Sequence, residues 1–190
     1  MQRFIGACIM FILLFTVITT SAGDMGKSRD QIDDKYKWDL THLFKSNDDW
    51  QASKTELEDR IGEIEKYEGT LSQSADQLYE CLKLTSDIWK KYALLSGYAS
   101  KLSDQDTRES GPMAMSQAIR QVGTRLSAAA AYIEPEILAI DTETIEKFMK
   151  KKNELKDYAQ YIDNIQRLKP HTRSAEIEEV ISQAGLLSGT

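Results

Sequence analysis

The chain has 190 residues, with 24 Lys and Arg against 30 Asp and Glu, a net charge of −6, two cysteines and two histidines. An acidic chain without a basic face cannot neutralise a row of phosphates, so nucleic-acid binding is not expected. A zinc hydrolase needs about three protein ligands around one open position. His42 and His171 stand far apart and no H-E-x-x-H occurs, so these residues alone are not expected to hydrolyse anything with a metal.

Residues 1–22 have the order of a secretory signal peptide: Arg3 as a short positive start, an apolar run from Phe4 to Thr19, then the small residues Thr20, Ser21 and Ala22 before a polar stretch. The run is short for a spanning helix, which takes roughly 20 apolar residues. Cleavage near Ala22 would make the protein secreted or periplasmic. An uncleaved N-terminal anchor is the alternative, and the only membrane contact expected. Cys8 precedes most of the apolar run, which disfavours a lipoprotein reading. Cleavage would leave Cys81 as the one cysteine, so no internal disulfide framework supports the fold. Residues 23–36 are polar and without period, and read as a flexible leader.

A helical domain is expected over residues 37–185, with a tail at 186–190. Ser46 before Asn47, Asp48 and Asp49 is a helix start, with a capping hydroxyl and acids in the first turn. Trp50, Leu57, Ile61 and Ile64 then fall on one face, and Gly69 is placed to end the helix. Ser74 with Gln77 forms a capping box. The long helix it opens carries Leu78, Leu82, Thr85, Trp89, Tyr92, Ala99 and Leu102. A polar link, residues 103–110, is closed by Gly111 and Pro112, and proline suits a first turn. The next helix carries Met115, Ile119, Val122, Leu126, Ala129 and Ile133. Pro135 is expected to kink or end it. Ala128 to Ala131 are small enough to admit a close neighbour.

A shorter helix is expected around Ile145, Phe148 and Met149. Asn153 is placed to cap another, striped by Leu155, Tyr158, Ile162, Ile165 and Leu168, and Pro170 stops it. Ser174 opens a last helix with Ile177, Val180 and Ile181, and Gly185 lies past its end. No hairpin signal or alternating run appears. The expected fold is all-α: about six helices in an up-and-down arrangement. Trp50, Trp89, Tyr92 and Met115 are expected in its core.

Candidate chemical groups are few. His42 and His171 have no ligand partner at metal spacing. Cys81 lies one residue off its helix stripe with no histidine close in sequence, which predicts a buried, inert thiol. The acid pairs Asp33–Asp34, Asp48–Asp49 and Glu178–Glu179 sit in a leader, a first turn and a charged face. Lys150, Lys151 and Lys152 read as a solvated helix end. No catalytic, cofactor-binding or metal-binding residue is assigned.

Five segments, in order, carry a resemblance. Trp38-Asp39-Leu40 through Leu43-Phe44 resembles the W-D-L-x-x-L-F opening of the oligoendopeptidase F family, and Ser46 to Trp50 resembles the polar link and tryptophan next to that opening. Tyr98-Ala99-Ser100 with Ser103-Asp104-Gln105-Asp106-Thr107-Arg108 resembles that family's Y-A-x-L and S-D-x-D-T-R stretch. Leu126-Ser127-Ala128-Ala129 with Glu134-Pro135-Glu136 resembles its L-x-A and P-E-L segment. Leu168-Lys169-Pro170-His171-Thr172 resembles its P-H segment, and Arg173 departs from it. The family belongs with the thimet-oligopeptidase-like zinc metallopeptidases.

This resemblance implies a helical N-terminal lobe joined to a larger catalytic lobe. It implies zinc-dependent cleavage of short peptides in the complete protein, with the N-terminal lobe walling a channel that excludes folded proteins. The zinc motif would lie beyond Thr190, so this chain is expected to lack the catalytic lobe. A different class is also open: a non-catalytic helical protein of the cell envelope that binds a partner.

Overall fold

The structure is a computed structural model and describes residues 31–169. The expected signal peptide, the first part of the leader, His171, the Glu178–Glu179 pair, the Ser174 helix and the tail lie outside the described residues. The chain divides into a unit of residues 1–36 and a unit of residues 37–190. In the first, the described residues hold one 3-10 turn, Asp34–Tyr36. Lys35 lies 3.1 Å from Asp33 and above the Tyr36 ring.

In the second unit the described residues form six α-helices and no strand: α1 Asn47–Glu65, α2 Ala75–Gln105, α3 Ser110–Ala129, α4 Ile133–Ala139, α5 Thr142–Lys151 and α6 Ala159–Gln166. A 3-10 helix, Asn153–Tyr158, precedes α6. Five of the expected helices fall among the described residues. The extra one, α4, arises because the chain breaks before Pro135.

Helices α1, α2 and α3 form an up-down-up bundle. The Trp50 indole N–H donates to the Leu95 carbonyl (2.9 Å) and Tyr98 donates to Asn47 (3.1 Å), so the start of α1 meets the end of α2. Lys91 pairs with Glu56 further along. Arg125 pairs with Glu58, so α3 lies against α1 as well. The predicted stripe of α1 is entirely buried: Trp50, Leu57, Ile61 and Ile64 are each at most 7% exposed. Each buried side chain of this size is worth about 1.5–3 kcal/mol.

The predicted serine caps that fall among the described residues, Ser46 and Ser74, both form. Ser46 Oγ accepts from the Asp49 N–H and Ser74 Oγ from the Gln77 N–H, each at 3.1 Å. A third cap, Asp141 accepting from Thr144, opens α5. α2 extends through Gln105, beyond the predicted start of the link, which shrinks to residues 106–109. The core face of α2 is also turned from the predicted stripe. Cys81, Ile88 and Leu95 are fully buried, whereas Trp89 is 37% exposed. α2 packs against several neighbours, so its buried arc is wider than one stripe: α1 takes the side of Leu95, α3 the side of Tyr92, and α5 with the 3-10 helix lies on its first half.

Helix α1 ends at Glu65, not at Gly69. Residues 66–73 form successive turns, plugged by the fully buried Leu71. Gly69 sits within them at φ +75°, where a side chain would be strained. Pro135 does not end a helix; it opens one. α3 stops at Ala129, and Pro135 lies in the first turn of α4, where no N–H is required. Its ring would clash with the carbonyl of Ala131 in a continuous helix, so the chain breaks at residues 130–132. Asn153 likewise caps nothing. It starts the 3-10 helix, and the apolar stripe it was expected to head is split between that turn and α6.

The short helices pack as a second layer on the first half of α2. Lys152 reaches Asp76 at 3.0 Å and lies above the Tyr79 ring, so it is not a purely solvated charge. Gln166 of α6 donates to the Ile137 carbonyl of α4 at 2.5 Å, and Tyr161 lies near Glu134, so α6 runs parallel to α4.

Candidate functional site

His42 is the one described histidine. Its side chain is 89% exposed and lies 3.8 Å from Asp39, whose carboxyl is held below its usual range by the Thr41 hydroxyl and N–H. Among the described residues, no three His, Cys, Asp or Glu side chains gather where a metal could sit. The family chemistry named by the resemblance calls for zinc, and these donors do not fit it. A lone exposed imidazole beside a hydrogen-bonded carboxylate offers neither ligand number nor enclosure.

Cys81 is fully buried, with its Sγ 3.4 Å from the Tyr132 hydroxyl. That hydroxyl donates to the Ile64 carbonyl at 2.6 Å. Burial pushes the thiol up, and burial together with the nearby thiol pushes the Tyr132 phenol up. Neither group ionises near neutrality, and no base is aimed at the sulfur. Cys81 is part of a joint between α1, α2 and the α3–α4 link, not a nucleophile.

Glu136 makes a second joint. Its carboxylate accepts from the Gly69 N–H at 2.5 Å and the Leu71 N–H at 3.2 Å. Two backbone donors of the turns after α1 are thereby satisfied by α4. This explains physically why a carboxylate stands next to Pro135. The proline sets the turn, and the acid beside it ties α4 to the α1–α2 link.

A groove of about 710 Å³ lies between α2, the α3–α4 break and α6. Leu82 and Trp89 stand on α2. Ala130 and Pro135 come from the break and the start of α4, and Tyr158 and Tyr161 from the second layer. The small side chains of Ser127, Ala130 and Ala131 leave the space open. The sequence predicts that the small residues Ala128 to Ala131 admit a close neighbour, and no described helix fills the gap beside Ala130 and Ala131. Trp89 packs edge-on against Tyr92 with ring centroids 5.3 Å apart. Tyr92 is in turn held against the bare Cα of Gly123. The Tyr161 hydroxyl lies 3.3 Å from Glu134 Oε1, and burial with that carboxylate pushes the phenol up to about 12.

Nothing in the sequence marks Trp89, Glu134 and Tyr161 as a site. They lie on three elements, 27 to 72 positions apart, and no spacing rule links them. The one available signal is the tryptophan, and its place on an apolar stripe points to the core instead.

Known proteins place this architecture. The family model of oligopeptidase F matches residues 136–190. The chain is 31% identical over 162 residues to oligopeptidase PepF of Bacillus subtilis, covering 85% of this chain and 24% of that protein. It is 29% identical to the plasmid oligoendopeptidase F of Lactococcus lactis over 85% of this chain and 27% of that one. The solved oligoendopeptidase-F of Enterococcus faecium superimposes with a TM-score of 0.61 at 27% identity, covering 75% of this chain and 28% of that one. A solved structure from Chlamydophila abortus, at 22% identity and a TM-score of 0.73 over 83% of this chain and 27% of that one, shares the fold. The chain spans about a quarter of the length of the curated relatives it matches. In sequence and in fold, the chain matches the N-terminal region of oligoendopeptidase F proteins.

Proposed function

We propose that this chain is the N-terminal helical lobe of an exported, zinc-dependent oligoendopeptidase that cleaves short peptides. In this reading the lobe walls the channel through which extended peptides reach a zinc site in a separate catalytic lobe. In this reading residues 31–169 supply shape and contacts, and no three possible metal ligands gather among them. The carrying observation is collinearity: a single alignment of 162 residues joins this chain to about a quarter of an oligopeptidase, with the same helical architecture in a solved relative. Export rests on the order of charges, apolar residues and small residues in residues 1–22.

The test is to capture the native product from fractionated cells with an antibody against this chain. Its cleavage of a quenched fluorescent peptide is then assayed with and without a chelator. Chelator-sensitive cleavage in the exported fraction is expected. A captured product that cleaves no peptide contradicts the peptidase reading, and capture from the cytosol alone contradicts export.

A further inference from the structure

We propose that the groove between α2, the α3–α4 break and α6 binds a peptide with a basic side chain next to an apolar one. Among the residues lining it, Glu134 is the single charged side chain, and its hydrogen-bond partner is a phenol, not a cation. Its carboxylate is steadied by the Tyr161 hydroxyl at 3.3 Å and remains exposed. Trp89 and Tyr161, 37% and 38% exposed, add two aromatic surfaces to the same groove. A groove that holds one carboxylate and two exposed aromatic rings offers a cation both charge and ring quadrupoles. Leu82, Ala130 and Pro135 give the apolar wall that a neighbouring side chain would cover.

The dimensions suit a peptide. The lining residues of α2 run from Leu82 to Trp89, about 10 Å along the helix at 1.5 Å per residue. An extended chain covers that length in about three residues. A phosphate-bearing or acidic partner is disfavoured, because it would bring a second negative charge against Glu134. The preference rests on the peptidase reading and gives its peptide a side-chain identity. Its test reads binding alone, so it fails or succeeds separately from any hydrolytic activity.

The probe is an N-acetylated, C-amidated peptide with one arginine between leucines, compared with its neutral citrulline twin. Each is titrated into the full chain while tryptophan emission is followed. Trp89→Phe identifies the reporter, since Trp50 is buried and Trp38 lies elsewhere. The arginine peptide is expected to bind at least tenfold tighter than the citrulline peptide. Glu134→Gln should abolish that difference, and added salt should reduce it. Ser127→Trp, at an exposed lining position, should block both peptides while the helical signal is kept. Equal affinity for the two peptides overturns the proposal. So does no response at millimolar peptide. Binding that emerges only after residues 170–190 are removed, or only when self-association is suppressed, also overturns it, since the groove would then belong to the chain's own segment or to a second copy.

Discussion

Gly123 and Tyr92 give a sharp test of the packing that shapes the groove. A Cβ placed on Gly123 would lie 2.5 Å from the Tyr92 hydroxyl oxygen, 2.7 Å from Cζ and 2.9 Å from Cε2. All three are closer than real Cβ contacts, so the phenol must move. Tyr92 is half-buried and braced by Trp89, and its displacement disturbs α2 against α3. Overpacking of this kind costs about 1–3 kcal/mol. Replacing glycine by alanine inside a helix gains about 1 kcal/mol from propensity. Gly123→Ala is therefore expected to destabilise by about 1 kcal/mol in the parent. In a Tyr92→Ala background the clash is gone and only the gain remains, so the same substitution should stabilise by up to about 1 kcal/mol. The predicted coupling, about 2 kcal/mol, exceeds the roughly 0.3–0.5 kcal/mol by which independent sites depart from additivity. Urea unfolding monitored by far-UV circular dichroism on the four proteins measures it. An equal effect of Gly123→Ala in both backgrounds would show that Tyr92 does not oppose the added methyl.

Three further outcomes are expected. Glu136→Ala should cost about 2 kcal/mol in urea unfolding, because it strands the Gly69 and Leu71 N–H groups, and Glu136→Gln, which keeps one acceptor oxygen, should cost less. No loss in either variant would show that water replaces the carboxylate. Cys81 should resist a thiol reagent in the folded protein and react at the unfolding rate, as read by peptide mapping; fast native labelling would contradict its burial. Finally, Asp76 is held below its usual range by Lys152 and Asp141 by Thr144. A depressed folded-state pKa contributes stability above the unfolded value and loses it as pH falls, so these groups favour the fold fully above about pH 4 and lose that contribution progressively as pH falls on through their lower folded-state values. Asp76→Asn with Asp141→Asn should flatten the acid side of the stability profile, and an unchanged slope would exclude their role.

The bundle is legible in the sequence where caps and a single stripe settle a helix. Ser46, Ser74 and the α1 stripe need only local chemistry and a period of 3.6. The sequence misleads where neighbours surround most of a helix or a backbone break decides the outcome. The buried arc of α2 widens to include Cys81 and releases Trp89. Pro135 carries a correct steric message, but its consequence falls four residues earlier, at the carbonyl it would strike. Gly69 does take a left-handed position, yet the helix has already ended, because Leu71 needs a turn to reach the core. The groove is illegible for a geometric reason: its aromatic and acidic groups meet only once α4 and α6 lie parallel across α2.

Whether this chain is one lobe of a zinc peptidase is decided most directly by sequencing the transcript and genomic frame past the codon for Thr190. An in-frame continuation encoding H-E-x-x-H on a helical pattern, with a further glutamate downstream, is the predicted result. A stop codon in every transcript, with no H-E-x-x-H in the frame beyond it, would contradict that assignment.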